Sequence, residues 1–226
     1  TVYTIISTLY ANNEYARFFV LETVARVPYF AYLSVMHLRE TFGKREPGDS
    51  ERMRTHYAEA DNELHHLLIM ESLGGNSSSF DRALAQSMAF GYYWYVVGVY
   101  TFSEQAAYHL SELIENHAYN TYNQFIETRA EELKQLPVPD IARKYYEDDD
   151  PFLFDLFRTV REPEVLLPMR HRRSRPELNS LYDVFVCVRN DEREHWKTLC
   201  NLVQRDSIEG TGEIIESTKP TPPGSS

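Results

Sequence analysis

Four stretches of this chain carry apolar residues at three- and four-residue intervals, and in each a glutamate stands where the next apolar residue belongs. The stripes are Tyr15, Phe18, Glu22, Ala25, Tyr29, Leu33; then Ala60, Glu63, Leu67, Met70; then Tyr108, Glu115, Ala118, Tyr122, Phe125; and last Leu181, Val184, Phe185, Val188, Glu192, Leu199, Leu202. That spacing places side chains on a single face of an α-helix, so each helix is expected to bury a carboxylate in its core seam. Buried carboxylates at close range repel one another and lose their hydration, so each must take up a proton or meet a cation.

Only 9 glycines occur, alternating β-branched runs are rare, and the reading is therefore almost wholly helical. Helices are expected over residues 13–41 with a kink at Pro28, from the turn at 43–50 to Gly74-Gly75, and from the serines at 77–79 to residue 102. A fourth runs from a cap at Ser103 to about residue 136, where Pro137 and Pro139 stop it, and a fifth covers 176–205. Residues 144–175 read as an irregular excursion whose acidic run (147–150) and basic run (170–175) are solvated loop. Residues 1–207 then form one helical domain and 208–226 a disordered tail.

A formal charge of −11 repels phosphate backbones and argues against nucleic acid as a partner. The 16 Tyr and 12 Phe suit a surface that touches a membrane interface, and residues 84–103 form an uncharged run long enough to span a bilayer. Cys187 and Cys200, if on one helix, lie about 20 Å apart and cannot bridge. No charged segment followed by an apolar core and cleavage site opens the sequence, so no targeting segment is expected within it.

Two Glu-x-x-His pairs, Glu63 with His66 and Glu192 with His195, have the spacing by which di-iron bundles place both side chains on one helix face. Each pair alone is a weak signal, because chance supplies about one in a chain of this composition. On apolar stripes, with Glu22 and Glu115 from two further helices, they predict an all-α, ferritin-like four-helix bundle holding two iron ions. His65, two residues from Glu63, is expected to point elsewhere and contact a neighbour.

Three segments resemble the alternative oxidases: Arg17-Phe-Phe-Val-Leu-Glu22-Thr-Val-Ala-Arg-Val-Pro28, Asn62-Glu63-Leu64-His65-His66-Leu67-Leu68-Ile69-Met70-Glu71, and Asp191-Glu192-Arg193-Glu194-His195. His117-Ala118 after Glu115, Leu136-Pro-Val-Pro-Asp140 and the excursion before Leu181-Tyr-Asp-Val-Phe185 are similar to the plastid branch of that family. The resemblance implies a quinol oxidase coupling oxidation of plastoquinol, or a related quinol, to the four-electron reduction of O2 to water. Proton pumping is not expected, because no chain of ionisable residues crosses a membrane. It implies metal binding by Glu22, Glu63, Glu115 and Glu192, with His66 and His195 as ligands or close partners and Tyr122 as a redox-active tyrosine. Arg17, Leu21, Ala118 and Thr121 fall where the family builds its quinol pocket. A homodimer on the stromal side of the chloroplast thylakoid membrane, or on a cyanobacterial membrane, is implied as well.

Three other classes remain at this stage. Another di-iron enzyme such as a quinone hydroxylase, or an iron-storage bundle, uses the same metal chemistry, and a purely structural helical protein leaves the interior glutamates without purpose. The aromatic run 84–103 and the Arg17 segment favour quinol oxidation. Attachment is expected to be monotopic: a crossing by 84–103 alone would separate Glu63 from Glu115 by about 30 Å of hydrocarbon. Apolar helical surface is expected in one leaflet instead, with Tyr92, Tyr93, Trp94 and Tyr95 near the head groups.

Overall fold

The computed structural model describes Tyr10, residues 13–147 and residues 176–205. The described residues form the helices α1 (Glu14–Ala25), α2 (Val27–Thr41), α3 (Asp49–Ser72), α4 (Ser79–Phe102), α5 (Glu104–Leu133), α6 (Asp140–Tyr146) and α7 (Leu181–Arg205), and no strand. The acidic run beyond Glu147, the basic run 170–175 and the tail 208–226 lie outside them.

Local chemistry accounts for most helix ends. The helix expected over 13–41 is broken at Arg26, and Pro28 sits in the first turn of α2, where its missing N–H costs nothing. The side chains of Asn13, Ser78 and Ser103 accept from the first-turn amides of α1, α4 and α5, each cap contributing about 1 kcal/mol. Gly75 is needed for contact: a Cβ there would lie 2.5 Å from the carbonyl oxygen of Tyr15. The end of α3 therefore docks directly on the start of α1.

Two boundaries differ from expectation. Helix α7 begins at Leu181, not at residue 176, because Asp183 Oδ2 accepts the amides of Asn179 and Ser180, both at 2.9 Å, and holds them in a capping turn. The excursion expected from residue 144 starts inside a helix, α6, whose entry carries Pro139 as its cap residue and Asp140 in its first turn.

Helices α5 and α7 pack along their length, α1 and α2 pack on α3, α4 lies across α1 and α2, and α6 closes one side of α3. The four stripes are largely buried, with Phe18, Met70, Tyr122, Val184 and Phe185 in one core cluster and Leu33, Tyr108, Leu199 and Leu202 in the other. Cys187 and Cys200 are both buried, and no disulfide joins them.

Helix α4 buries only Asp81, Ala85, Val96 and Tyr100. It exposes Phe80, Phe90, Trp94, Tyr95 and Phe102, with Phe30 and Leu38 exposed on α2 beside it. Of the four aromatics expected at head groups, Trp94 and Tyr95 are exposed, while Tyr92 and Tyr93 are half-buried. Tyr93 donates to Ser34 Oγ at 3.0 Å and so ties α4 to α2. Among the described residues the stretch long and apolar enough to cross a membrane is Glu14–Thr41, and most of it is buried within the protein.

Candidate metal centre

Glu22 on α1, Glu63 and His66 on α3, Glu115 on α5, and Glu192 and His195 on α7 meet in the middle of the bundle, each essentially inaccessible to water. They form two overlapping donor groups: Glu22, Glu63, His66 and Glu192 in one, Glu63, Glu115, Glu192 and His195 in the other, with donor atoms within 4.8 Å of one another in each. Glu63 and Glu192 belong to both. His66 Nδ1 lies 2.9 Å from Glu192 Oε1, and His195 Nδ1 lies 2.8 Å from Glu63 Oε1.

Both oxygens of Glu63 and of Glu192, and Oε2 of Glu22 and of Glu115, receive no aligned hydrogen bond. No lysine or arginine among the described residues forms an ion pair with any of the four. Buried acceptors of this kind need a partner. Two divalent cations would balance four carboxylates, and mixed carboxylate and imidazole donors suit iron. The donor set therefore fits a pair of metal ions.

Electrostatics point the same way. Burial first, then the charge of Glu63, raises Glu22 well above the ordinary carboxylate range, and burial and neighbouring carboxylates raise Glu192 likewise. Glu63 is raised by burial against the opposing pull of His195. Burial works against protonation of His195, but the neighbouring carboxylates of Glu115 and Glu63 win and push it up to about 10. A cation among the carboxylates reverses this balance by favouring their ionised forms.

Tyrosines complete the centre. Tyr122 donates to Glu22 Oε1, and Tyr29 donates to Glu115 Oε1 at 2.7 Å. Below His66 lies a second polar layer in which Asp191 Oδ2 accepts from Tyr146 at 2.8 Å and Asn62 at 3.1 Å, with His66 Nε2 at 3.4 Å.

Compared with known proteins, the chain matches the family model described as alternative oxidase over residues 3–203. The chain belongs to the alternative oxidase family. It is also 50% identical, over 216 residues, to the Arabidopsis thaliana protein named ubiquinol oxidase 4, chloroplastic/chromoplastic. That alignment covers 96% of this chain and 59% of the relative, so the chain spans less than two thirds of that protein's length. No solved structure matches it.

Alternative oxidases are di-iron carboxylate enzymes, and the Glu and His cluster lies inside the matched residues. Of the residues the resemblance assigned to the quinol pocket, Leu21 and Ala118 are buried while Arg17 and Thr121 are half-buried. They lie on α1 and α5, which meet through the stacked rings of Phe18 and Tyr122 at 4.3 Å. Thr121 Oγ1 donates to the carbonyl of His117 at 2.8 Å, and burial followed by the charge of Arg17 lowers the pKa of His117. The surface cleft lined by Asn13, Tyr15, Arg129 and Glu132 contains none of these residues.

His65 is turned away from the cluster, its Nδ1 donating to the carbonyl of Asp61 at 2.8 Å and its ring stacked on Tyr145. Sequence reasoning did not single out Tyr29, Asn62, Asp191, Tyr146 or the buried pair His56 and Glu59, whose Nδ1 and Oε2 lie 2.6 Å apart. Tyr29 was visible as a stripe residue two turns after Glu22, and Asn62 and Asp191 each immediately precede a stripe glutamate.

Proposed function

We propose that the chain is a quinol oxidase lying on a membrane surface, which oxidises plastoquinol or a closely related quinol and reduces O2 to water. The observation that carries this reading is the pair of donor groups sharing Glu63 and Glu192, in a chain of the alternative oxidase family. The name of the Arabidopsis relative, a chloroplastic/chromoplastic ubiquinol oxidase, supports a quinol as substrate and a plastid location. Within the plastid, the stromal side of the thylakoid membrane is the proposed place.

Glu22, Glu63, Glu115 and Glu192 would hold two iron ions, with His66 and His195 as ligands or close partners. Iron, when bound, supplies one-electron redox chemistry that links two-electron quinol oxidation to four-electron reduction of O2. The protein provides geometry and a dry site. Phe18 and Phe185 pack around Tyr122, and the stacked Phe18 ring, with Phe125 edge-on to it at 5.1 Å, excludes water on that side. Tyr122 is placed to supply an electron and a proton, since Glu22 already accepts its hydrogen. Asp191, fixed by Tyr146 and Asn62, orients the His66 ring. Arg17 and Thr121 provide polar groups, and Leu21 and Ala118 apolar walls, for a quinol head group between α1 and α5.

Exposed Phe90, Trp94, Tyr95 and Phe102 on α4, with Phe30 and Leu38 on α2, support attachment to one leaflet, and a second copy of the chain is the expected protein partner. Two quinols reduce one O2 to two waters, so the purified protein given a short-chain quinol should consume quinol and oxygen in a ratio of about two. A ratio of one marks hydrogen peroxide as the product. Hydroxylation of the ring, or iron uptake without quinol turnover, would replace the oxidase reading with the hydroxylase or storage reading.

A further inference from the structure

The two tyrosines at the centre stand in reciprocal positions. Tyr122 on α5 holds Glu22 Oε1 of α1, and Tyr29 on α2 holds Glu115 Oε1 of α5. Glu22 and Glu115 each belong to a single donor group, and in each the other oxygen, Oε2, receives no hydrogen bond. Glu63 and Glu192, which are shared, have no tyrosine on either oxygen. One phenol thus accompanies each outer carboxylate and leaves it one oxygen for a metal.

Their surroundings differ. Tyr122 is stacked on Phe18 and lies 6.0 Å from the Phe185 ring, so that its ring, unlike its hydroxyl, has apolar neighbours. Tyr29 sits between two imidazoles, with ring centres 5.6 Å from His56 and 5.7 Å from His195. His56 is itself held by Glu59 at 2.6 Å and by the edge-on ring of Tyr32 at 4.5 Å, all of them buried. The phenol of Tyr29 therefore has a fixed place set by a second polar pair that Tyr122 lacks.

We propose that Tyr29 is the positioning residue for the metal held by Glu115 and His195, and that it makes this position inequivalent to the one held by Glu22 and His66. The inference rests on the proposed metal centre but not on quinol chemistry. Without the hydroxyl, Glu115 loses the bond that fixes its rotamer, and Oε1 becomes a buried acceptor without a donor. Residues that orient ligands in this way typically change metal affinity by about 10- to 100-fold when removed.

The test is Co(II) binding to the full chain, followed by competition with a chromophoric chelator and by the visible absorption of the bound metal. Wild type should bind two Co(II) with distinguishable spectra. Tyr29→Phe keeps the ring against both imidazoles and should weaken one position by about 10- to 100-fold, altering its spectrum and leaving the other within about threefold. Tyr32→Phe, in the same aromatic group but without a bond to a carboxylate, should leave both positions unchanged. Two indistinguishable positions in wild type overturn the inference, as does equal binding, or equal weakening of both positions, in Tyr29→Phe. Two Co(II) in wild type with no effect of Tyr29→Phe leaves the proposed function standing, whereas a wild type that binds no metal overturns both.

Discussion

Nδ1 of His195 on α7 lies 2.8 Å from Oε1 of Glu63 on α3, and the reciprocal pair, His66 of α3 with Glu192 of α7, lies at 2.9 Å. Each histidine is thus matched to the glutamate of the other Glu-x-x-His helix. Neither helix assembles a donor group alone, so metal binding is coupled to correct packing of the whole bundle.

Sharing of Glu63 by both donor groups predicts an asymmetry among the glutamates. Glu63→Ala should retain almost no iron, whereas Glu22→Ala should retain about one iron per chain. Metal analysis of the purified variants checks this, and equal losses in the two would contradict the sharing.

Tyr122→Phe removes a hydroxyl that donates to Glu22 while keeping the stack on Phe18. Folding should survive, and so should iron content at saturating iron even as loss of the bond to Glu22 weakens affinity there; the KM for quinol should hold and turnover should fall by at least about tenfold. Oxygen uptake at saturating quinol measures it, and near-normal turnover returns Tyr122 to core packing.

The four glutamates were legible because a helix repeats its face every three to four residues, so Glu22, Glu63, Glu115 and Glu192 stood out on apolar stripes. Helix ends at Ser78, Ser103 and Pro139 were legible as local chemistry, although Pro139-Asp140 was not read as the start of α6. Tyr29 escaped because an aromatic on a stripe is indistinguishable from packing until the α5 carboxylate is seen opposite it. Asp191 and Asn62 lie one residue off their stripes, and only the arrival of α6 with Tyr146 reveals what they hold. The pairing of His56 with Glu59 inside the core is likewise a tertiary fact: in sequence it is one of several polar pairs on α3.

Raised pKa values of Glu22, Glu63 and Glu192 mean that the folded apoprotein binds more protons than the unfolded chain between the ordinary carboxylate value of 4.5 and the raised values of the folded state. His195, raised from 6.5 to about 10, does the same between those values. The stability of the apoprotein should therefore fall as pH rises from about 5 to about 9, and the increase in Tm on adding iron should grow over the same range. Thermal melts with iron and with chelator test this; an apoprotein that gains stability with pH contradicts it.

Exposed Phe90, Trp94 and Tyr95 predict that Phe90→Ser combined with Trp94→Ser weakens binding to lipid vesicles by about tenfold or more. Single cysteines introduced at Ser77 and Ser103, on either side of α4, should be labelled from the same face of sealed vesicles. Labelling from opposite faces would place α4 across the bilayer and separate Glu63 from Glu115.

Whether Glu63 and Glu192 join two metal ions into one centre is answered by iron content together with Mössbauer and EPR spectroscopy of the purified protein. Shared carboxylates should give about two irons per chain in a magnetically coupled pair, silent in EPR when both are ferric. One iron per chain, or two irons with independent ferric signals, would contradict it.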